Sequence, residues 1–199
     1  DLPVASSPST LVAPGVYSAQ LVKLHGQEVT KIGEAVRVEL VSTFEPTLPA
    51  VDRQEINQFV DEAAKLLARW RKVTRTAERL SEEVAGRKQL AVSAASAPEN
   101  LLQQIVAIEE SQRTLQQELL GNTEKRSRYV LDEPTAGERI QSALFQTARS
   151  SHGPTGTSRQ QVEIARGGVD AVEALLKQLK QQIETLRQSM DQAGLIWVE

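Results

Sequence analysis

Few side chains in this sequence of 199 residues have the types and spacing that acid–base or metal chemistry requires. The two histidines, His25 and His152, lie far apart in glycine-containing turns, and neither belongs to a cluster of possible ligands. Two pairs of adjacent acids also occur, Glu82-Glu83 and Glu109-Glu110. Because the apolar seams of their helical segments face elsewhere, we predict that these acids, like the histidines, lie on the surface. No residue is predicted to be catalytic, cofactor-binding or metal-binding.

A tryptophan among basic residues is the next candidate for ligand binding. Trp70 could form a platform for an anion together with its basic neighbours Arg69, Arg71, Lys72 and Arg75. However, Trp70 also falls on an apolar seam at helical spacing. We therefore predict a core tryptophan that is flanked by a charged rim.

Glycines near the end of the sequence do not form a phosphate-binding loop. Gly153, Gly156, Gly167 and Gly168 lack the spacing of that motif and the Lys-Ser/Thr pair that follows it. Gly167 and Gly168 lie inside a helical pattern, where we predict a close approach of another helix or a local bend.

Composition and charge exclude several classes of function. The 23 basic and 26 acidic residues give a net charge of −3 and are mixed along the chain, unlike the positive footprint of a nucleic-acid-binding protein. The absence of cysteine excludes disulfides and thiolate nucleophiles but leaves the redox compartment open. No apolar run approaches the ~20 residues of a membrane-spanning helix, and no segment has the pattern of a signal peptide.

Residues 11–41 alternate between apolar and polar side chains, as β-strands do. Val16–Leu21 and Val36–Leu40 each have one apolar face, and Glu28–Ile32 predicts a short middle strand that ends at Gly33. The result is a small antiparallel meander whose apolar face needs a partner layer. Either the helices cover this face, or the strands are the remnant of an immunoglobulin-like or fibronectin-like sandwich.

Four helix starts share one signature, a capping side chain followed three residues later by an acid or amide. The pairs are Asp52 with Glu55, Ser96 with Glu99, Thr135 with Glu138, and Ser158 with Gln161. Each pair precedes apolar residues at helical spacing, so the sequence predicts four helices.

The first and last of these helices carry heptad seams over roughly four heptads, which predicts coiled-coil-like packing. The first seam consists of Ile56, Phe59, Ala63, Leu66, Trp70, Val73, Ala77, Leu80 and Val84. The last consists of Val162, Ala165, Val169, Val172, Leu176, Leu179, Ile183, Leu186 and Met190. We predict a mainly α fold, an elongated antiparallel bundle of about four helices behind the β meander. A four-helix bundle and a rod with a broken middle helix both fit this pattern.

Three stretches carry a family resemblance. They are Ala13–Leu21, the phrase Gly153-Pro154-Thr155 leading to Arg159-Gln160-Gln161, and Met190–Trp197. Together they resemble the C-terminal region of bacterial sortilin-like, sialidase-type repeat β-propeller proteins, a family often labelled glycosyl hydrolase. The resemblance implies a helical bundle that follows a propeller and a sandwich-like segment, in a periplasmic or secreted protein. It carries no functional residue over to this chain.

These observations predict a β segment over residues 1–41, a proline-containing linker over 42–51 and a helical bundle over 52–199. Because the sequence begins at Asp1, close to a strand, we expect a piece of a longer protein. The leading expectation is a non-catalytic accessory module of an exported propeller protein, acting in docking, spacing or oligomerisation. Its partners would be the upstream propeller or sandwich domain, another protein or a second copy, without nucleic acid or a transmembrane segment. The alternatives are a free-standing helical interaction module and a fragment of a glycoside hydrolase.

Overall fold

The structure is a computed structural model that describes residues 14–26, 28–41, 52–94, 98–150 and 152–195. Two antiparallel strands come first, β1 (Gly15–His25) and β2 (Glu28–Leu40). The helices that follow are α1 (Arg53–Ser93), α2 (Glu99–Leu120), α3 (Thr123–Ser127), α4 (Ala136–Ala148) and α5 (Gly156–Gln192). The fold is therefore mainly α with a small antiparallel β unit in front, as the sequence predicts.

The β unit of the described residues is a hairpin of two strands, where the sequence predicts three. Gly33 does not end a strand, because its φ of 70° allows it to take part in a bulge within β2. Residues 33–35 together oppose Gln20 of β1. The side-chain amide of Gln20 donates a hydrogen bond of 2.9 Å to the carbonyl oxygen of Gly33. The predicted middle and last strands are thus one strand with a bulge.

Two of the four predicted helix caps are confirmed. The carboxylate of Asp52 accepts a hydrogen bond from the backbone N–H of Gln54 at the start of α1. Thr135 and Glu138 form the full capping box at the start of α4, in which each side chain accepts a hydrogen bond from the other residue's backbone N–H.

The other two predicted caps differ from the structure. The N-cap of α2 is Pro98, and the predicted cap, Ser96, lies outside the described residues. The N-cap of α5 is Thr155 in place of Ser158. The hydroxyl of Thr155 accepts a hydrogen bond from the N–H of Ser158, so the helix starts one turn earlier and Ser158 is buried inside it. The N-cap of this helix is thus the capping residue three positions upstream of the predicted one.

The predicted heptad seams form the core of the bundle. All nine seam residues of α5 are buried, and none of the nine in α1 is exposed. The shorter seam of α2 is also buried, at Leu101, Ile105, Ile108, Leu115 and Leu119. This core of aliphatic side chains from every long helix supplies the burial that holds the helices together.

Helices α1 and α5 run parallel to each other. Glu55 contacts Arg159 near their N-termini, and Glu83 contacts Arg187 near their C-termini, each pair being 104 residues apart in the chain. A constant offset between contacting residues requires parallel axes. With about 1.5 Å of rise per residue, α1 extends for roughly 60 Å.

Helices α2 and α4 together form the third line of the bundle, antiparallel to α1 and α5. Along α2, Glu109 pairs with Lys88, and Gln112 donates to the carbonyl oxygen of Leu80, so α2 covers the C-terminal half of α1. Along α4, Gly137 packs against Trp70 further toward the N-terminus of α1. The bundle is therefore a three-helix rod whose middle helix is broken between Gly121 and Thr135, with α3 inside the break.

Candidate functional site

One face of the hairpin is apolar and exposed from the open end as far as Leu21 and Ile32. Side chains two residues apart on a strand share a face, and directly paired residues of two strands share it as well. Beyond that point the same side is polar, with Lys23 paired to Thr30. The apolar part, called the hairpin face below, consists of Tyr17, Ala19, Leu21, Ile32, Val36, Val38 and Leu40. All seven are exposed, with Leu21 and Val36 reaching 67% and 63% of their full accessibility. The described helices do not bury this face.

The opposite face of the hairpin carries two charged residues near its open end. Arg37 and Glu39 of β2 are exposed there. Their paired residues on β1 are Ser18 and Val16, which are uncharged. Neither Arg37 nor Glu39 therefore has an opposite charge directly across the hairpin.

A ladder of ion pairs joins α1 to α5 at heptad spacing. Its rungs are Glu55–Arg159, Glu62–Arg166, Arg69–Glu173 and Glu83–Arg187. Seven or fourteen residues separate neighbouring rungs, so the ladder follows the edge of the heptad seam. The third rung has reversed polarity, which opposes a shift of one helix along the other by a heptad, because Glu62 would then face Glu173. The complementary heptad charges were a signal in the sequence for this pairing.

The last rung is a buried ion cluster. Glu83 accepts hydrogen bonds from Nε of Arg87 at 2.8 Å and from Nε and Nη2 of Arg187 at 2.8 and 2.7 Å. The hydrogen bonds from Arg187 are the main reason that the pKa of Glu83 lies below its usual value, while burial opposes this shift. Glu83 is 7% exposed, so the sequence-based prediction of a surface acid is wrong at this position.

The other acids singled out in the sequence lie at or near the surface. Glu82 and Glu110 are exposed, and Glu109 is half-buried beside Lys88, to which it is joined by an ion pair of 2.7 Å. Both histidines, His25 and His152, are exposed, as the sequence predicts. The structure therefore does not bring these histidines and acids together.

Trp70 is a core residue, as its seam position predicts. It is 7% exposed, and its indole packs against the backbone of Gly137 in α4. Its neighbour Arg69 turns away and binds Glu173 and Asp170 through hydrogen bonds of 2.6 to 3.0 Å. The pKa of Arg69 is raised, mainly by the hydrogen bond to Glu173. With its indole in the core, Trp70 does not present its ring as a platform for an anion.

The break between α2 and α4 displays a second apolar feature, the turn Tyr129-Val130-Leu131. Tyr129 and Leu131 are 99% and 97% exposed, and Tyr129 has a φ of 56°. The N–H groups of Tyr129 and Val130 donate to the carbonyl oxygens of Arg126 and Lys125, which is the Schellman pattern that ends α3. Glycine usually occupies the position of Tyr129 because other residues are strained there. No signal of helical period marked this turn in the sequence.

A cleft of about 310 Å³ lies beside this break, and Trp70, Ile164 and Val172 are among its apolar lining residues. Lys125 and Arg139, the basic residues of its lining, are already paired. Lys125 contacts Asp132 at 3.4 Å, and Arg139 donates to Gln161 at 2.7 Å. These internal pairs favour a structural role for the cleft.

Within the described ranges, no group of three or more His, Asp or Glu side chains is placed to hold a metal ion. No helix in this part of the chain is long and apolar enough to cross a membrane.

No protein-family model, no curated protein and no solved structure matches this chain. The resemblance to sortilin-like propeller proteins thus stays an expectation from the sequence.

Proposed function

We propose that this chain is a non-catalytic docking module, in which a helical rod carries a β-hairpin that packs against a partner protein domain. The observation that carries the proposal is the exposure of the hairpin face. The residues of this face alternate with polar ones along Tyr17–Leu21 and Val36–Leu40, as in a sheet that buries one side. In the described residues, none of the seven is buried.

The exposure of the hairpin face contrasts with the burial of the seam residues in the rod. The same chain buries all nine seam residues of α5, so its apolar periodicity matches burial wherever a partner helix is present. A contiguous apolar patch on a soluble domain is a usual mark of an interaction site. A two-stranded hairpin is also marginal by itself and gains stability from packing against another layer.

The partner that best fits the hairpin face is another β-sheet. Sheets pack face to face at about 10 Å with interdigitated aliphatic side chains, and Ile32, Val36, Val38 and Leu40 supply such side chains. This agrees with the expectation from the sequence that a sandwich-like domain of the same protein precedes the rod. The hairpin face then covers the sheet of such a domain.

Site-specific photo-crosslinking in cells tests this proposal. A photoreactive phenylalanine analogue is placed at Val36 on the hairpin face, with matched sites at Ser18 on the opposite face and at Gln181 on exposed α5. The adducts are identified by mass spectrometry, and the identified domain is purified for calorimetric titration. We expect adducts from Val36 alone, and binding that Val38→Asp weakens at least tenfold. Adducts only from Gln181, or equal affinity of the Val38→Asp variant, would contradict the proposal.

A second candidate is a helical interaction module that binds through the turn at Tyr129–Leu131. The specific observation is that this apolar turn is held fully exposed by a strained residue, and such strain is concentrated at functional sites. The same crosslinker placed at Leu131 would then yield the adducts. Its matched control is Glu124 on the preceding short helix, which is also exposed.

A further inference from the structure

We infer that two copies of this chain associate through the outer edge of β2, in an antiparallel pairing centred on Val38. The described sheet has only two strands, so β2 has an outer edge without a strand partner in this part of the chain. The free N–H and C=O groups of such an edge can pair with a second strand. The inference does not depend on what covers the hairpin face, because edge pairing uses backbone groups.

The bulge divides the edge of β2 into two short regular segments. Residues 33–35 interrupt the pairing between Glu28–Ile32 and Val36–Leu40, and β2 ends at Leu40. Only the second segment, with the sequence Val-Arg-Val-Glu-Leu, carries opposite charges at positions symmetric about its central residue. An antiparallel pair of identical strands obeys two-fold symmetry, so one residue of this segment must lie opposite itself.

Pairing of the whole segment and charge complementarity both select Val38 as that residue. Centred on Val38, the pairing places Arg37 of each copy opposite Glu39 of the other, and Val36 opposite Leu40. Centred on Arg37 or on Glu39, it would place like charges directly opposite each other, which is destabilising. Each copy thereby receives the opposite charge that Ser18 and Val16 do not supply within its own hairpin. The sequence of this edge is complementary to itself in one register.

The pairing also extends the hairpin face. The two-fold axis of an antiparallel strand pair is perpendicular to the sheet, so both copies present the same side. Val36, Val38 and Leu40 of the two copies become neighbours on one four-stranded sheet. Docking partners described above would then meet a surface of two adjoining hairpins.

Sedimentation equilibrium of the full chain, at concentrations up to about 1 mM, tests the inference through charge inversion. We expect a monomer–dimer equilibrium for the wild-type protein. Arg37→Glu and Glu39→Arg should each weaken the dimer at least tenfold, because each places like charges opposite each other twice. The double variant should restore it, since every pair is again opposite in charge. Its composition of charged residues equals that of the wild type, so a net-charge effect is excluded.

Two further measurements locate the contact. An equimolar mixture of the two single variants should form a heterodimer, because one copy then carries two glutamates and the other two arginines. The chain has no cysteine, so Val38→Cys introduces a single thiol, which should form an intermolecular disulfide on mild oxidation. Thr30→Cys is the matched control, because in this register the two copies of residue 30 lie tens of ångströms apart.

Three results would overturn the inference. A monomer at all concentrations, or a dimer that is indifferent to both inversions, overturns the inference. A double variant as weak as the single variants also overturns it. None of these results bears on the docking proposal, for which the readout is a Val36 adduct with a domain other than a second copy of this chain.

Discussion

Trp70 of α1 lies directly on the backbone of Gly137 in α4, so closely that a β-carbon on Gly137 would fall 2.8 Å from Cε2 of the indole. Gly137→Ala should therefore destabilise the protein by about 1–3 kcal/mol, because a rigid buried ring has to move. Gly167→Ala in α5 is the matched control, since a β-carbon there meets nothing within 4 Å. It should stabilise the fold by about 0.5–1 kcal/mol through helix propensity. Urea unfolding of both variants measures the change in the free energy of unfolding, which should differ in sign between them.

Glu83 should be the most important acid of the rod. Replacing it with glutamine leaves the guanidinium of Arg87, whose side chain is 8% exposed, without its carboxylate. We expect a loss of about 2–4 kcal/mol, as for breaking a buried ion pair from one side. Its neighbour Glu82 is exposed, and Glu82→Gln should change the free energy of unfolding by less than about 0.5 kcal/mol. Equal losses in chemical denaturation would argue against the buried cluster.

Leu179 tests the register of the seam in α5. Its side chain is fully buried, so Leu179→Ala should cost about 2–5 kcal/mol of stability. Lys177 and Gln181 flank it on the same helix and are exposed, so their replacement by alanine should cost little. Thermal melts of the three variants are the measurement, and similar losses in all three would refute the register.

Glu138 makes the fold sensitive to acid. Two hydrogen bonds from Arg126 are the main reason that its pKa is lowered to about 2 from 4.5. A carboxyl whose pKa is depressed in the folded state stabilises that state above its unfolded pKa. This contribution is lost as the pH falls from about 5 to about 2. Glu138→Gln keeps a capping acceptor but loses the charge, so its melting temperature should lie below that of the wild type at pH 7.

The pH profile provides the check on Glu138. The difference in melting temperature between Glu138→Gln and the wild type should narrow below pH 5 and close near pH 2. Glu124→Gln, at an exposed position of α3, should melt with the wild type throughout. A difference for Glu138→Gln that stays constant down to pH 2 would show that the charge on Glu138 does not stabilise the fold.

The positive φ of Tyr129 should lower the stability of the fold. Tyr129→Gly removes the strain of a positive φ at the end of α3 and should stabilise the protein by about 0.5–1 kcal/mol. Leu131→Gly, at an equally exposed position with an ordinary φ, should be neutral or slightly destabilising. Calorimetric melts distinguish the two. If the turn binds a partner, Tyr129→Gly should weaken that binding while it raises stability.

The sequence predicts the features that depend on local interactions, and it predicts less where contacts between distant residues decide the structure. The seams of α1 and α5 repeat every few residues, and the burial of Leu179 or Trp70 follows from that local pattern. The start of α5 was misplaced because Thr155 and Ser158 are both capping residues one turn apart, and local propensity does not choose between them. The parallel pairing of α1 with α5 depends on contacts between distant residues such as Glu83 and Arg187, and its trace in the sequence is the complementary charge at heptad spacing along the two helices.

In the hairpin, too, contacts with another strand decide what the local sequence does not. Its alternation correctly indicated one apolar face, but Gly33 was expected to end a strand, and it instead forms part of a bulge with a positive φ. A glycine is compatible with either conformation, so pairing with Gln20 decides between them. The burial of Glu83 was missed for a related reason, because its partner Arg187 comes from a helix 104 residues away.

The parallel orientation of α1 and α5 has a mechanical consequence. The chain enters the rod at Asp52 and leaves α5 at Gln192, and these points lie at opposite ends, on the order of 50 Å apart. A pulling force between them draws α1 and α5 in opposite directions along their common axis. It thus loads their interface in shear, so the interlocked seams and the ion ladder must yield together and cannot be unzipped one by one. Tension would meet its greatest resistance along the rod, and the same contacts would yield far more easily to a force applied across it.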